Sequence, residues 1–365
     1  AAMLTSSGQA ANFFAVFNIA SCGDHVIASS AIYGGTYNLF AVTMKKMGVD
    51  FTFVSPDCTE EELQTAFRPN TKLVFGETVA NPAIKVLDIK KFAKVAHRNG
   101  VPLIIDNTFA TPVNCRPFEW GADIVTHSTT KYMDGHGATV GGAIIDSGKF
   151  DWTKHADKFP GLCTPDESYH GVTYAERFGI GGAFITKATA QLMRDFGCIQ
   201  SPHDAFLLNL GLESLHVRMQ RHCETALKVA RFLESNEHIS WIKYPDLPGS
   251  EDYELAKKYG IMILEDNPYG DIRFAGEDIP SIKSMDKDGL VIYSRTFSKT
   301  LAPGLRVGYV AAPKPVIQKM VVCKQVADVH TNIMAQIICD EYLKNYDMDA
   351  HLESVRKIYR HKCGL

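Results

Sequence analysis

Apolar residues recur along the chain with two different periods. In SSGQAANFFAVFNIASCG, Ala10, Phe13, Phe14 and Phe17 fall at helical spacing, so one face of a helix is apolar. Ser7 reads as its N-cap and Gly23 as its stop. Short runs rich in β-branched and aromatic residues follow, HVIAS, DFTFV and KLVFG, and read as strands. Asp88 opens a helix with Ile89, Phe92, Ala93 and Ala96 on one face, and Asn99-Gly100 closes it. VPLIID, ADIVTHS and TVGGAII then read as further strands. Strands alternating with helices predict an α/β fold with a mostly parallel sheet covered on both faces. From about residue 205 a long helical stretch, NLGLESLHVRMQRHCETALKVARFLES, carries the chain out of this first domain, and residues 242–250 read as a loop.

Composition narrows the function classes. With 365 residues, 45% of them hydrophobic and 22% charged, the chain has material for two ordinary domains. A formal net charge of −3 with no lysine or arginine run gives no footprint for nucleic acid or for an anionic membrane. Small molecules are the expected partners. Nine scattered cysteines with no C-x-x-C pair suggest a reducing cytoplasm, not a disulfide framework or a zinc knuckle. No apolar run is long enough to span a bilayer. The text opens at Ala1, almost inside a helix signal, and a missing N-terminal piece is expected.

One layout occurs twice: helix, strand ending in Asp, helix, strand ending in Ser, lysine, glycine-bearing strand. The first copy runs through VPLIIDNT and HSTTKYMDGHGATVGG and carries Asp106 and Lys131. The second runs through GIMILEDNPYGD and SRTFSKTLAPGLRVGY and carries Asp266 and Lys299. An acid at one strand's carboxyl end and a lysine after the next suit pyridoxal phosphate. The amine condenses with its aldehyde, and the carboxylate keeps the ring nitrogen protonated so that the ring accepts electrons. Open α/β sheets present ligands at that edge. Ser7, Gly8 and Gln9 at a helix start offer backbone N–H groups to a phosphate, and Ser128 and Thr130 add hydroxyls. Taken alone, Lys131 is a surface lysine, Asp106 a strand-end turn residue and Ser7-Gly8 an ordinary helix start. Their order on consecutive elements favours the cofactor. His127 and His136 lack a third ligand at metal spacing, so no metal is expected.

Several long words carry a resemblance: SSGQAA, YGGTYNLF, ANP, PLIIDNTFATP, HSTTKYMDGHGATVGG, FPGLCTPDESYHG and GLESLHVRMQRH. Through them residues 1 to about 258 resemble the cystathionine-synthase-like family of fold-type I (aspartate-aminotransferase-like) pyridoxal phosphate enzymes, most of all its O-acetylhomoserine sulfhydrylase branch. The resemblance implies that Gly8, Gln9, Ser128 and Thr130 hold the phosphate and that Tyr33 stacks on the ring and assists the leaving group. It further implies that Asn81 contacts the ring hydroxyl or the substrate carboxylate, that Asp106 pairs with the ring nitrogen and that Lys131 binds the aldehyde.

From about residue 252 the resemblance changes. YELAKKYGIMILEDNPYGDIRF and YSRTFSKTLAPGLRVGYVAAP resemble a class I aminotransferase of the aminoadipate or aromatic type. That likeness implies Asp266 at the ring nitrogen, Tyr269 at the ring oxygen, Lys299 as the second lysine, and Ser298 with Arg306 on the phosphate. Thr296 stands where relatives usually carry Ser. YELAKKY suits both families, so the chain reads as a chimera joined there. Neither resemblance is whole: the first lacks its family's early Tyr-x-Arg segment and terminal-domain arginine, the second its phosphate-binding helix start and substrate arginine.

The expected organisation is a cofactor domain over 1–240, a junction over 241–259 and a partial fold-type I segment over 260–365. The expected activity is γ-replacement on O-acetyl-L-homoserine by sulfide or a thiol, in sulfur amino-acid and methionine metabolism, by a cytoplasmic dimer or tetramer. An aminotransferase using Lys299, or an inactive joined chain, are the alternatives.

Overall fold

Seven strands form the sheet on which everything in the first part of the chain depends. In this computed structural model the described residues are 1–235, 242–248, 250–253, 255, 293–311, 314, 317–318, 321 and 331–363. The strands are β1 (Ala2–Thr5), β2 (His25–Ser29), β3 (Asp50–Val54), β4 (Thr71–Glu77), β5 (Leu103–Asp106), β6 (Ile124–Ser128) and β7 (Gly142–Asp146). Their order is β1-β7-β6-β5-β4-β2-β3. The pairs from β3 through to β6 are parallel, whereas β7 runs antiparallel to both β6 and β1. The central strands are apolar along their length and closed on both faces, and Ile27, Leu73, Phe75, Ile104, Ile105 and Ile124 are fully buried.

The helices form where the pattern places them. Asp88 caps the helix Ile89–Arg98 by accepting from the Lys91 amide, and Phe92, Ala93, Val95 and Ala96 go into the core. Ser7 caps the helix Gly8–Phe17 in the same way, accepting from the Ala10 amide at 3.1 Å. That helix stops at Phe17, short of the expected Gly23. Asn18 is buried there, donating from its side chain to the Phe184 carbonyl and accepting from Lys187 Nζ on its own. Two buried partners outweigh another helical turn. β1 was not legible, because four residues alternating exposed and buried carry little signal. The long helical stretch near residue 205 is two helices, Pro202–Glu213 and Leu215–Glu234, that meet at Ser214.

The chain divides into two compact units, Ala1–Ile263 and Leu264–Leu365. Within the first, Tyr244 and Leu247 join the core. Lys85 also meets Asp57 at 2.9 Å, Asp252 at 3.0 Å and Glu251 at 3.3 Å. Those carboxylates raise the Lys85 ammonium's pKa despite its burial. In the second unit, β8 (Tyr293–Thr296) and β9 (Gly308–Ala311) form an antiparallel hairpin, and two helices follow, Ile333–Asn345 and Met348–Cys363. A small cluster of Val307, Ala335 and Cys339 is buried there. Lys85→Ala is expected to destabilise the first unit by about 3 to 5 kcal/mol, because it leaves buried Asp252 without its cation. Replacing Asp252 by Ala as well is expected to recover part of that loss in urea unfolding.

Candidate active site

Because β4, β5 and β6 are parallel and in register, their carboxyl ends bring three polar residues to one edge of the sheet. Glu77 stands across from Asp106, and Asp106 across from Thr126, two residues before Ser128. Asp106 is buried, and neutral donors hold it. Asn12 Nδ2 donates to one carboxylate oxygen at 3.0 Å, and the Thr108 amide and hydroxyl donate to the other at 3.0 and 2.6 Å. Thr126 in turn donates to Asn12 Oδ1 at 2.6 Å, which fixes the amide's orientation. Burial raises the Asp106 pKa, and the Asn12 and Thr108 bonds pull the other way. Among the described residues Asp106 has no ion-pair partner.

Glu77 is the second buried carboxylate. Burial and the neighbouring Asp106 charge hold its pKa well above the usual carboxylate range. It accepts from the Tyr33 amide at 2.6 Å and from the Asn81 backbone. Both Tyr33 and Asn81, which the family likeness singled out, thus hang from one carboxylate beside Asp106. Tyr33 begins the short helix Gly34–Asn38 and its ring lies over Gly35, where a Cβ would come within 2.5 Å of Cε1. Asn81 precedes a cis proline.

The helix start meets the strand end closely. A Cβ on Gly8 would come within 2.5 Å of Ser128 Cβ and 3.0 Å of its hydroxyl, so only glycine allows this approach. Ser128 donates its amide to Thr108 Oγ1 at 2.7 Å, which links it to Asp106. Gln9 accepts from Thr36, which accepts from Asn12. Gly8, Gln9, Tyr33, Asn81, Asp106 and Ser128 therefore share one connected region. Ser7 faces inward along its helix as a cap. The Thr130 hydroxyl donates to the Gly141 carbonyl at 3.2 Å and accepts from the Gly141 amide at 3.0 Å, which closes the loop. Lys131 lies in the turn after β6, exposed, with its carbonyl accepting from the Gly135 amide. His127 is buried, and its pKa falls to about 4.

Asn12, Glu77 and Thr108 were missed by sequence reasoning. Asn12 was the legible one: an amide set on an apolar helix face needs a partner inside.

In the second unit, Thr296 and Arg306 both reach Ser298, at 2.9 and 3.2 Å. Lys299 follows, exposed. Asp266 and Tyr269 lie outside the described residues.

A parallel sheet whose strand ends hold a buried carboxylate, a glycine-opened helix start and a lysine turn defines a fold-type I cofactor domain. Residues 1–264 match the model of the Cys/Met metabolism PLP-dependent enzyme family, and the chain belongs to that family. Residues 246–362 match the aminotransferase class I and II model. The homocysteine/cysteine synthase of Kluyveromyces lactis is 45% identical over 282 residues, 77% of this chain and 62% of that protein. An O-acetyl-L-homoserine sulfhydrylase of Corynebacterium glutamicum is 46% identical over 264 residues, 71% of this chain and 60% of that protein. A solved O-acetylhomoserine (thiol)-lyase of Campylobacter jejuni, described as putative and carrying a pyridoxyl-lysine phosphate, superposes with a TM-score of 0.68. It is 38% identical over 71% of this chain and 63% of its own. The chain thus spans about three fifths of the length of the curated relatives it matches.

The donor set fits pyridoxal phosphate. A carboxylate has about four acceptor sites, three of which Asp106 gives to neutral donors. A buried carboxylate is stabilised by a cation, and a protonated ring nitrogen is one. The close packing of Gly8 on Ser128 sets a helix start beside a hydroxyl, and backbone N–H groups and hydroxyls suit a phosphate.

Glu77 generates a pH prediction for the cofactor-free protein. Its folded pKa is raised, so the folded chain binds the extra proton more tightly. The stability gained is fully present below the ordinary carboxylate pKa and is lost as pH rises through the folded value. Thermal melts are expected to show this decline, and Glu77→Gln is expected to flatten it.

Proposed function

We propose that residues 1–264 carry a γ-replacement site that exchanges the acetoxy group of O-acetyl-L-homoserine, released as acetate, for sulfide or a thiol. The observation that carries this reading is the buried Asp106, held by Asn12 and Thr108 at the sheet edge that also bears Gly8 and the Lys131 turn. Bound pyridoxal phosphate supplies an electron sink for the carbanion formed at Cα. Asp106 keeps the ring nitrogen's proton in place. Lys131 Nζ would hold the aldehyde, and would take the proton from Cα and move that of Cβ. Tyr33, suspended from Glu77, stacks on the ring, and Asn81 orients the ring hydroxyl or the substrate carboxylate. Gly8, Gln9, Ser128 and Thr130 would hold the phosphate, and Thr130 also braces the loop through Gly141. The Cγ–O bond breaks, acetate leaves with its electron pair, and a C–S bond forms with loss of the thiol proton, so there is no net oxidation.

We further read the chain as a cofactor domain over 1–240 joined through 241–259 to an aminotransferase-like segment over 260–365. The overlap of the two family matches at 246–264 supports that junction. A homo-oligomer, dimer or tetramer, is supported by the exposed apolar residues Phe206, Leu210 and Val217. The free thiols of Cys22, Cys58 and Cys115 support a cytoplasmic setting. No described helix is long and apolar enough to cross a membrane. The pairing of Ser298 with Arg306 favours a second reading, in which an aminotransferase phosphate site survives in the second unit.

Turnover of O-acetyl-L-homoserine and sulfide, followed by acetate release, tests the first reading. Asp106→Ala is expected to lower it by at least about a hundredfold, since breaking a buried ion pair costs about 3 to 5 kcal/mol. Near-normal turnover in that variant places the electron sink elsewhere. Amino transfer to a keto acid that survives Lys131→Ala selects the second reading, and no turnover by the unaltered chain selects the inactive joined chain.

A further inference from the structure

The word GLESLHVRMQRH contributes nothing to the chemistry assigned above, yet it packs directly behind the lysine turn. Arg218, on the helix Leu215–Glu234, is half-buried and aims its guanidinium at main-chain oxygens. Nη1 donates to the Tyr132 carbonyl at 2.7 Å and Nη2 to the Met133 carbonyl at 3.5 Å, the two residues that follow Lys131. Nη2 also reaches the Gly211 carbonyl at 2.7 Å, and Nε the Ser214 hydroxyl at 2.9 Å. One turn further on, the His222 ring meets the Tyr132 ring at 5.7 Å.

The turn is shaped to receive this side chain. Gly135 has φ +72°, and a Cβ there would come within 2.5 Å of Arg218 Cζ. A Cβ on Gly211 would overlap the Asp134 carbonyl and approach the Met133 carbonyl to 2.8 Å. Asp134 is buried, accepts from the His136 and Ala138 amides at 3.3 and 3.0 Å, and attracts the Arg218 charge. Two missing side chains and one buried carboxylate thus fit the turn to a guanidinium. A guanidinium presents its donors in a fixed planar fork, so that each contact sets the direction of the next, whereas a lysine ammonium is a point charge on a flexible stem.

We propose that Arg218 is a positioning residue that fixes the turn carrying Lys131, and so sets where its amine meets the cofactor. The proposal rests on the reading of Lys131 as the cofactor lysine. A merely structural role is also open to Arg218, because it ties together the two helices that meet at Ser214. Substitutions on its two sides separate these roles: Gly135→Ala strains the turn and crowds the guanidinium out of it, and Ser214→Ala removes the Nε contact on the helix side and leaves the turn's carbonyls bound.

The experiment uses the full chain. Hydrogen exchange of the cofactor-free protein is read on the peptide covering 129–141, with 103–106 as internal reference. Pyridoxal phosphate affinity and the induced circular dichroism of the bound cofactor are read by titration. Arg218→Ala and Gly135→Ala are expected to speed loop exchange and weaken cofactor binding at least tenfold each. Both should change the induced dichroism and leave the reference peptide as it is. Arg218→Lys is expected to recover part of the affinity, and Ser214→Ala to stay within threefold. If Arg218→Ala fails to fold, Gly135→Ala and Arg218→Lys give the same reading. Unchanged loop exchange and affinity in Gly135→Ala, or a loss in Ser214→Ala equal to that of Arg218→Ala, overturns the proposal. In Lys131→Ala, one cofactor's mass retained after borohydride reduction overturns the lysine reading instead, whatever Arg218 does.

Discussion

A carboxylate shut away from water must be compensated, and Asp106 is the point from which the rest of the first unit can be understood. Its three hydrogen bonds come from Asn12 and Thr108, neutral groups that lower its charge's cost without cancelling it. Each donor is itself fixed. Thr126 orients Asn12, and the Ser128 amide occupies Thr108. Glu77, one strand over, adds a second carboxylate that raises the demand for positive charge or for a proton. The parallel register of β4, β5 and β6 makes this possible, since it brings the three strand ends to the same edge.

The parts of this arrangement legible in the sequence are those with a local cause. Asp88 and Ser7 cap their helices through neighbouring amides, so a cap residue before an apolar stripe was enough to read them. Asp106 and Lys131 stand out in the sequence because Asp106 ends one apolar strand and Lys131 lies just past the next. Partners supplied by distant segments were not. The apolar helix face around Asn12 signals a buried partner for its amide but not that this partner is Asp106, 94 positions away, and Arg218 reaches Tyr132 across 86. Glu77 lies one residue past the strand as the pattern bounded it, where nothing local distinguishes it from a turn acid. The Thr130 hydroxyl closes onto Gly141, a pairing set by the loop's path. The same holds for β1, whose place depends on β7 being antiparallel to it.

The two lysines stand in different surroundings. Around Lys131 the first unit gathers a buried acid, a glycine-opened helix start and a loop held by Arg218 and Asp134. Around Lys299 the described part of the second unit offers a hydroxyl and a guanidinium, Ser298 and Arg306, suited to an anion. Its described core is small, and Ile333, Met334, Ile337 and Ile338 are exposed on one helix.

In the proposed reading the buried Asp106 and the turn after β6 make Lys131 the cofactor lysine of this chain. Borohydride reduction of the chain loaded with pyridoxal phosphate, followed by peptide mapping, tests this. The label is expected on the peptide containing Lys131. Label confined to the peptide containing Lys299 would contradict it.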